Sequence, residues 1–193
     1  MAPGVHLVAY ADDVVIVIVA RDGRWAQLRL NRALGQITDW LRGRGLNLAI
    51  QKTELTYLTR KHIDRNVQIT VGGTQMATRG EIRYLGVYLD TRLTFWSHIR
   101  RAVDKAASKT AALSRLMANT RGPKQKTRKL LMTVTHSILL YGAEIWGGAM
   151  EVKKYRQAML SVQRRGALRI ACAYRTVPES AVLVIAAVIP IDL

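Results

Sequence analysis

Cysteine is almost absent from this 193-residue chain. Cys172 is its only one, so no disulfide can close within it, and a reducing compartment is the expectation. The apolar setting Ile170-Ala171-Cys172-Ala173 predicts a buried small side chain rather than a nucleophile. His6, His62, His98 and His136 are too far apart to make a zinc-ligand spacing. Long apolar runs are also missing. The longest, Val14–Ala20 and Ala181–Ile189, fall far below the roughly 20 residues that span a bilayer. No charged segment followed by an apolar stretch opens the chain, so no secretory signal is read. The expectation is a soluble, intracellular protein of cytoplasm and nucleus with no membrane partner. There is no internal repeat and no low-complexity segment.

Acidic side chains are scarce: 13 Asp and Glu stand against 30 Lys and Arg, a net charge of +17. A hydrophobic fraction of 49% nevertheless describes a folding chain rather than a disordered one. The excess is uneven. Residues 1–96 carry 13 basic and 8 acidic groups, a balance of +5, whereas residues 97–193 carry 17 and 5, a balance of +12. A polyanion, most commonly nucleic acid, is the partner such an excess fits; a merely solvated basic face is the other reading.

Two β-branched apolar runs, Val5–Tyr10 and Val14–Ala20, are separated only by Ala11, Asp12 and Asp13, which predicts a hairpin buried on both faces. From about Arg24 to Arg44 the period becomes helical. Leu30, Leu34, Ile37 and Leu41 share a face flanked by Ala33 and Trp40, and Gly43 and Gly45 end the segment. Strands are expected at Leu46–Ile50, Glu54–Thr59, Val67–Val71 (entering a Gly72-Gly73 turn) and Glu81–Leu89. Beyond Asp90, the residues Trp96, Ile99, Val103, Ala106, Thr110, Leu113 and Met117 form the seam of an amphipathic helix, with Arg100, Arg101, Lys105, Lys109 and Arg115 off it. Gly122-Pro123 opens a second helix, Pro123 near its first position, running to about Tyr141. A third, about Glu151 to Cys172, turns Val152, Tyr155, Met159 and Val162 inward and Lys153, Lys154, Arg156, Arg164 and Arg165 outward, and Glu179–Val188 is a short last helix. Trp25, Trp40, Trp96 and Trp146 lie on apolar faces, as core residues do.

Two adjacent carboxylates at an apolar hairpin tip are costly unless a cation or a raised pKa compensates them, and the first basic residue after them is Arg21. A hard divalent ion would satisfy both, and an exposed Asp-Asp turn is the equal alternative on the tetrapeptide alone. Five cations, Arg121, Lys124, Lys126, Arg128 and Lys129, crowd a helix start, where positive charge opposes the helix dipole. Phosphate contact would explain them, as would a solvated face.

Tyr10-Ala11-Asp12-Asp13 between hydrophobic strands resembles the YxDD catalytic hairpin of reverse transcriptases. The motifs that follow keep the order of that family. Gly45-Leu46-Asn47-Leu48-Ala49-Ile50-Gln51-Lys52-Thr53-Glu54 resembles the next motif in non-LTR retrotransposons, and Tyr84-Leu85-Gly86-Val87-Tyr88-Leu89-Asp90 the one after it. The basic helix from Trp96, the Leu139–Trp146 stretch and Tyr174-Arg175-Thr176-Val177-Pro178 resemble the thumb of such elements, most closely the arthropod R1 and Jockey type. The likeness covers the chain after about residue 5.

The resemblance implies an α+β fold: a partial palm from catalytic hairpin to primer-grip strand (1–92), then an all-helical basic thumb and connection (93–193). It implies Mg²⁺, or Mn²⁺, on Asp12 and Asp13, with Tyr10 against the primer end and Lys52 near the incoming nucleotide's phosphates, as an acid toward pyrophosphate. Leu85 and Gly86 would hold the primer strand, with Gly86 allowing close backbone approach, and Arg100, Arg101, Lys105, Lys109, Arg121, Lys124, Lys126, Arg128 and Lys129 would contact nucleic acid. The partners implied are an RNA template, a DNA primer and, in the intact enzyme, dNTP. Two-metal transfer needs a further aspartate from an earlier palm strand, and fingers residues besides. Because only Met1–Gly4 precede the hairpin, half the metal site is expected to be present. The isolated chain is expected to make no DNA, and its first half to be marginal and aggregation-prone beside a stable thumb.

Overall fold

The computed structural model describes residues 3–59, 68–71 and 74–191, with 68–71 as backbone alone. The fold is α+β with short antiparallel strands. In order it runs β1 (Val5–Tyr10), β2 (Asp13–Ile18), α1 (Gly23–Arg42), a 3₁₀ turn at Ile50–Lys52, β3 (Gln68–Val71), β4 (Thr74–Ala77), β5 (Glu81–Tyr84) and β6 (Val87–Asp90). The helical part follows: α2 (Trp96–Arg115), α3 (Gln125–Leu139), α4 (Ala143–Trp146), a 3₁₀ turn at Gly147–Glu151, α5 (Lys153–Ile170) and α6 (Glu179–Ala186). The strands pair as three separate hairpins, β1–β2, β3–β4 and β5–β6. The chain divides into two compact units, residues 1–82 and 83–193.

In the first unit β1 and β2 pair antiparallel from Val5↔Ile18 to Tyr10↔Asp13. Asp22 caps α1 by accepting the Trp25 N–H at 2.9 Å. At the other end Leu46 N–H bonds Leu41 C=O and Gly45 N–H bonds Arg42 C=O, a Schellman ending that requires Gly45 in the left-handed region, at φ +71°. Leu30 and Leu34 are buried against Ile16, Ile18, Leu48, Leu55, Tyr57 and Met76, which makes the small core of this unit.

Several expectations fail here. The hairpin is covered on one face only, and there only toward its open end: Val8 and Val17, on the face opposite Ile16 and Ile18, are exposed, as are Leu7 and Val14 near the tip of the covered face, and among the described residues both outer edges of the sheet are unpaired. Residues 46–49 and 53–59 are not strands. Their alternation reflects Leu48, Leu55 and Tyr57 turning toward α1, with a single backbone bond, Arg79 N–H to Leu55 C=O at 2.7 Å, where a ladder needs several. Trp25 and Trp40 are more than half exposed, Trp40 lying under the Arg44 guanidinium at 3.9 Å. The strand at 68–71 forms, whereas Val67 and the Gly72-Gly73 turn lie outside the described residues. The strand expected over 81–89 is a hairpin, because Leu85 and Gly86 both take positive φ, +45° and +86°.

In the second unit α2 packs on α3 and α5, α3 on α5, and α5 on α6, while β6 lies on α2. The seam read from the sequence is the buried one: Ile99, Ala106, Thr110 and Met117 are inside, and Arg100, Arg101, Lys105, Lys109 and Arg115 are exposed. One core cluster gathers Ile99, Ala106, Leu139, Trp146, Met159 and Val162. The other gathers Met117, Met132, Ala167, Leu168, Ile170, Val182, Leu183 and Ala186. Each fully buried Val, Leu, Ile or Met side chain among them contributes about 1.5–3 kcal/mol. Gly166 lets α3 and α5 close, since a Cβ there would lie 2.9 Å from Met132 Sδ. Buried Gln163 donates to Ile189 C=O at 2.7 Å and accepts the Ile191 N–H at 3.0 Å, fixing the chain after α6. Pro123 stands before the N-cap Lys124 rather than at the first helical position; Val152 is half exposed; and Cys172 is exposed, its φ of +53° ending α5 and turning it off the core.

The turn from β6 into α2 has left-handed residues at Leu93 and Phe95, and Asp90 holds it. Its carboxylate accepts the N–H groups of Arg92, Thr94 and Phe95 at 3.0, 3.1 and 2.7 Å and the Thr94 hydroxyl at 3.0 Å. Partial burial pushes its pKa up, but these bonds outweigh it and leave the carboxyl below its ordinary value. Burial lowers His98, and burial with the nearby Lys129 charge lowers His136. Both signs agree for acidification. Above about pH 6.5 the histidines are neutral folded and unfolded; below it the unfolded chain takes protons the folded one refuses, and stability declines. Asp90 adds stability above the unfolded carboxyl pKa, near 3.9, that is lost as pH falls through its lower folded pKa. The unfolding temperature of the helical unit should therefore be flat above about pH 7 and fall below about pH 6.5, with a further fall below about pH 4. A melting series by circular dichroism, flat down to about pH 5, would contradict this.

Candidate catalytic hairpin and nucleic-acid surface

Alternating β-branched side chains bring β1 and β2 into register, and the closing pair Tyr10↔Asp13 leaves Ala11 and Asp12 as a two-residue turn. Ala11 takes the left-handed conformation at φ +52°, a strain of order 1–2 kcal/mol for a residue with a Cβ. The turn presents Asp12 and Asp13 to solvent beside Tyr10, which is 65% exposed. Neither Asp12 nor Asp13 takes part in an ion pair among the described residues. No group of three metal-capable side chains occurs among them either. Two adjacent carboxylates with open solvent around them suit Mg²⁺ by donor chemistry, because that ion accepts one or two carboxylates and keeps waters and phosphates for its other positions.

Lys52 ends the 3₁₀ turn after α1, exposed, with its N–H on Ala49 C=O at 3.0 Å. No hydrogen bond or ion pair joins it to Asp12 or Asp13 among the described residues. Leu85 and Gly86 form the β5–β6 turn. Tyr141 covers this turn: its hydroxyl donates to Leu85 C=O at 2.8 Å, and a Cβ on Gly86 would fall 2.8 Å from Tyr141 Cε1. The close approach that Gly86 permits is thus taken up by an aromatic ring. Trp146 Nε1–H bonds Tyr141 C=O at 2.8 Å and locks the same corner. Tyr141 has no assigned role in the sequence reading, and the Tyr-Gly pair, with Gly142 at φ +68°, is the signal that marks it as a turn.

Of the cations expected on nucleic acid, Arg100, Arg101, Lys105 and Lys109 lie on the exposed side of α2. Arg100 shares an exposed 4.0 Å pair with Asp104, and Arg101 stacks 4.4 Å over the Tyr88 ring, which Arg83 approaches at 5.9 Å. Residues 101, 105 and 109 are four apart, a line of charge about 12 Å long. Arg121, Lys124, Lys126 and Lys129 are exposed, Lys129 donating to Ala187 C=O past the end of α6.

Arg128 is the exception and corrects the cluster to four. It is 3% exposed, and its guanidinium donates to the carbonyls of Pro123 at 2.8 Å, Met117 and Arg169 at 3.1 Å each, and Ala118. Those carbonyls lie past the ends of α2 and at the end of α5, where helices leave acceptors unsatisfied. Arg128 therefore ties three helices together, and nucleic acid cannot reach it.

No family profile and no solved structure matches the chain. Curated proteins do. The Retrovirus-related Pol polyprotein from type-1 retrotransposable element R1 of Nasonia vitripennis is 29% identical over 97% of this chain and 58% of its own length. A second such polyprotein, from element R1 2 of the same organism, is 24% identical over 98% of the chain and 48% of its own length. The Probable RNA-directed DNA polymerase from transposon BS of Drosophila melanogaster is 26% identical over 73% of the chain and 16% of its own length. The chain spans about half the length, or less, of the curated relatives it matches. Over almost all of its residues, the chain is similar to retrotransposon Pol polyproteins of the R1 type.

Proposed function

We propose that this chain carries the catalytic hairpin and the thumb of an RNA-directed DNA polymerase of a non-LTR retrotransposon. The observation that carries the reading is the β1–β2 turn, which presents two adjacent carboxylates openly at the position of the YxDD motif. Asp12 and Asp13 would hold Mg²⁺, or Mn²⁺, which would supply Lewis-acid stabilisation of charge during nucleotidyl transfer. Tyr10 offers an exposed ring beside them, and Lys52 an exposed ammonium suited to phosphate. The residues Arg100, Arg101, Lys105 and Lys109, with Arg121, Lys124, Lys126 and Lys129, would bind the RNA template and DNA primer through phosphates, in a salt-dependent way. The relative named as a probable RNA-directed DNA polymerase supports the substrate class.

Two adjacent carboxylates are half of what two-metal transfer uses, since one ion activates the primer hydroxyl and the other clamps the triphosphate. Hence the chain by itself binds primer–template and does not extend it. Incubation with Mg²⁺, dNTPs and a DNA primer on an RNA template should show a salt-sensitive mobility shift without nucleotide incorporation. Incorporation above a reaction lacking protein would overturn the inactivity, and no shift at low salt would overturn the binding.

A further inference from the structure

The surface of α5 distant in sequence from the α2 stripe carries a feature that the polymerase reading does not use. Gln157, Leu160, Ser161, Arg164, Arg165 and Glu179 line an open depression of about 460 Å³ between α5 and the start of α6. Its rim is built. Arg164 Nη2 donates to the carbonyls of Arg175 at 2.7 Å and Val177 at 2.9 Å, pinning the loop between the two helices to α5. Within the loop Val177 N–H bonds Tyr174 C=O at 3.1 Å, and at its start Ala173 N–H bonds Leu168 C=O of α5 at 3.0 Å. The loop holds Tyr174 out in solvent: it is 84% exposed, the most exposed large hydrophobic side chain among the described residues, and Arg175 is exposed next to it. Among the described residues neither Arg165 nor Arg175 has a carboxylate within ion-pair distance, although Glu179 lines the same depression.

An exposed aromatic ring offers a free π face on which a planar group can stack, and cations without a carboxylate partner beside it favour an anion. Bases joined by phosphates supply both at once. In a duplex the base faces are already stacked, so the combination favours a single strand.

We propose that Tyr174, Arg175 and Arg165 form a binding site for single-stranded nucleic acid. Tyr174 stacks on a base and the two arginines meet the flanking phosphates, with Arg164 as the positioning residue that holds the loop. The proposal rests on the reading that this chain binds nucleic acid, and adds a second place where it does so. Glu179 lines the same depression, and its carboxylate opposes an anionic strand there.

Fluorescence anisotropy of the full chain with labelled oligo(U) and oligo(dT) of about twelve nucleotides, and with a duplex of equal length, tests it. Tyr174→Ala should weaken single-strand binding about five-fold or more and leave duplex binding unchanged, while Tyr174→Phe should bind as the unaltered chain does. Arg165→Gln should lower the slope of log affinity against log salt by about 0.7, and Glu179→Gln should tighten single-strand binding. Circular dichroism melts of each variant report folding. If the unaltered chain binds no oligonucleotide at low salt, the general nucleic-acid reading and this site fall together. If it binds and folded Tyr174→Ala binds single strands equally well, this site alone is wrong. A difference between the oligo(U) and oligo(dT) arms tells RNA from DNA, and a Tyr174 effect in either arm supports the site.

Discussion

Arg128→Ala should destabilise the helical unit by about 3–5 kcal/mol, enough to lower its melting temperature by roughly 10–20 °C. The arginine is buried, and four backbone carbonyls end on its guanidinium. Removing it leaves these acceptors without donors in a region closed to water, each at a cost of about 1–3 kcal/mol before relaxation, and opens a cavity as well. Lysine does not replace it, because an ammonium on a flexible stem cannot reach acceptors spread around a planar fork. Gly122 belongs to the same construction: a Cβ there would stand 2.0 Å from Ala118 O and 2.5 Å from Arg128 Nη2. Urea unfolding of the unaltered chain, Arg128→Ala and Arg128→Lys measures this. A loss below about 1 kcal/mol for alanine would mean that the carbonyls find other donors.

The second large effect is at Gly86. Alanine there must adopt φ +86° and place its Cβ against the Tyr141 ring, so a loss of about 2–4 kcal/mol is expected from strain and overpacking together. The two parts separate in a double-mutant cycle. Tyr141→Phe removes only the bond to Leu85 C=O and should cost about 1 kcal/mol. In a Tyr141→Ala background, Gly86→Ala should cost only the backbone strain, about 1–2 kcal/mol. Additive losses would show that the ring does not press on this turn.

These two sites also show what the sequence made legible. The seam of α2 from Ile99 to Met117 could be read directly, because a helix buries one stripe and the spacing of apolar residues records it. α1, α5 and α6 were found within a few residues for the same reason. Arg128 could not be found, since an arginine in a basic run is on the surface by every compositional rule, and its burial depends on where two other helices end. Gly86 reads as a glycine in a strand, but nothing local says that Leu85 beside it also turns left-handed, or that a tyrosine 55 residues away sits on the turn. The stretches at 46–50 and 54–59 alternate as strands do, yet alternation reports which side chains are covered and not whether the backbone has a partner. For the hairpin the sequence supplied the turn and both carboxylates. The apolar run there promised burial on both faces, whereas the described structure covers one.

A Mn²⁺ titration followed by NMR tests most directly whether Asp12 and Asp13 hold a divalent cation at the tip of this hairpin. Paramagnetic broadening should appear first and most strongly at the amides of residues 10–14, compete away with excess Mg²⁺, and vanish in Asp12→Asn/Asp13→Asn with the hairpin's other resonances unmoved. Broadening spread evenly over the acidic residues of the chain, or unchanged at the tip in the double variant, would contradict the account.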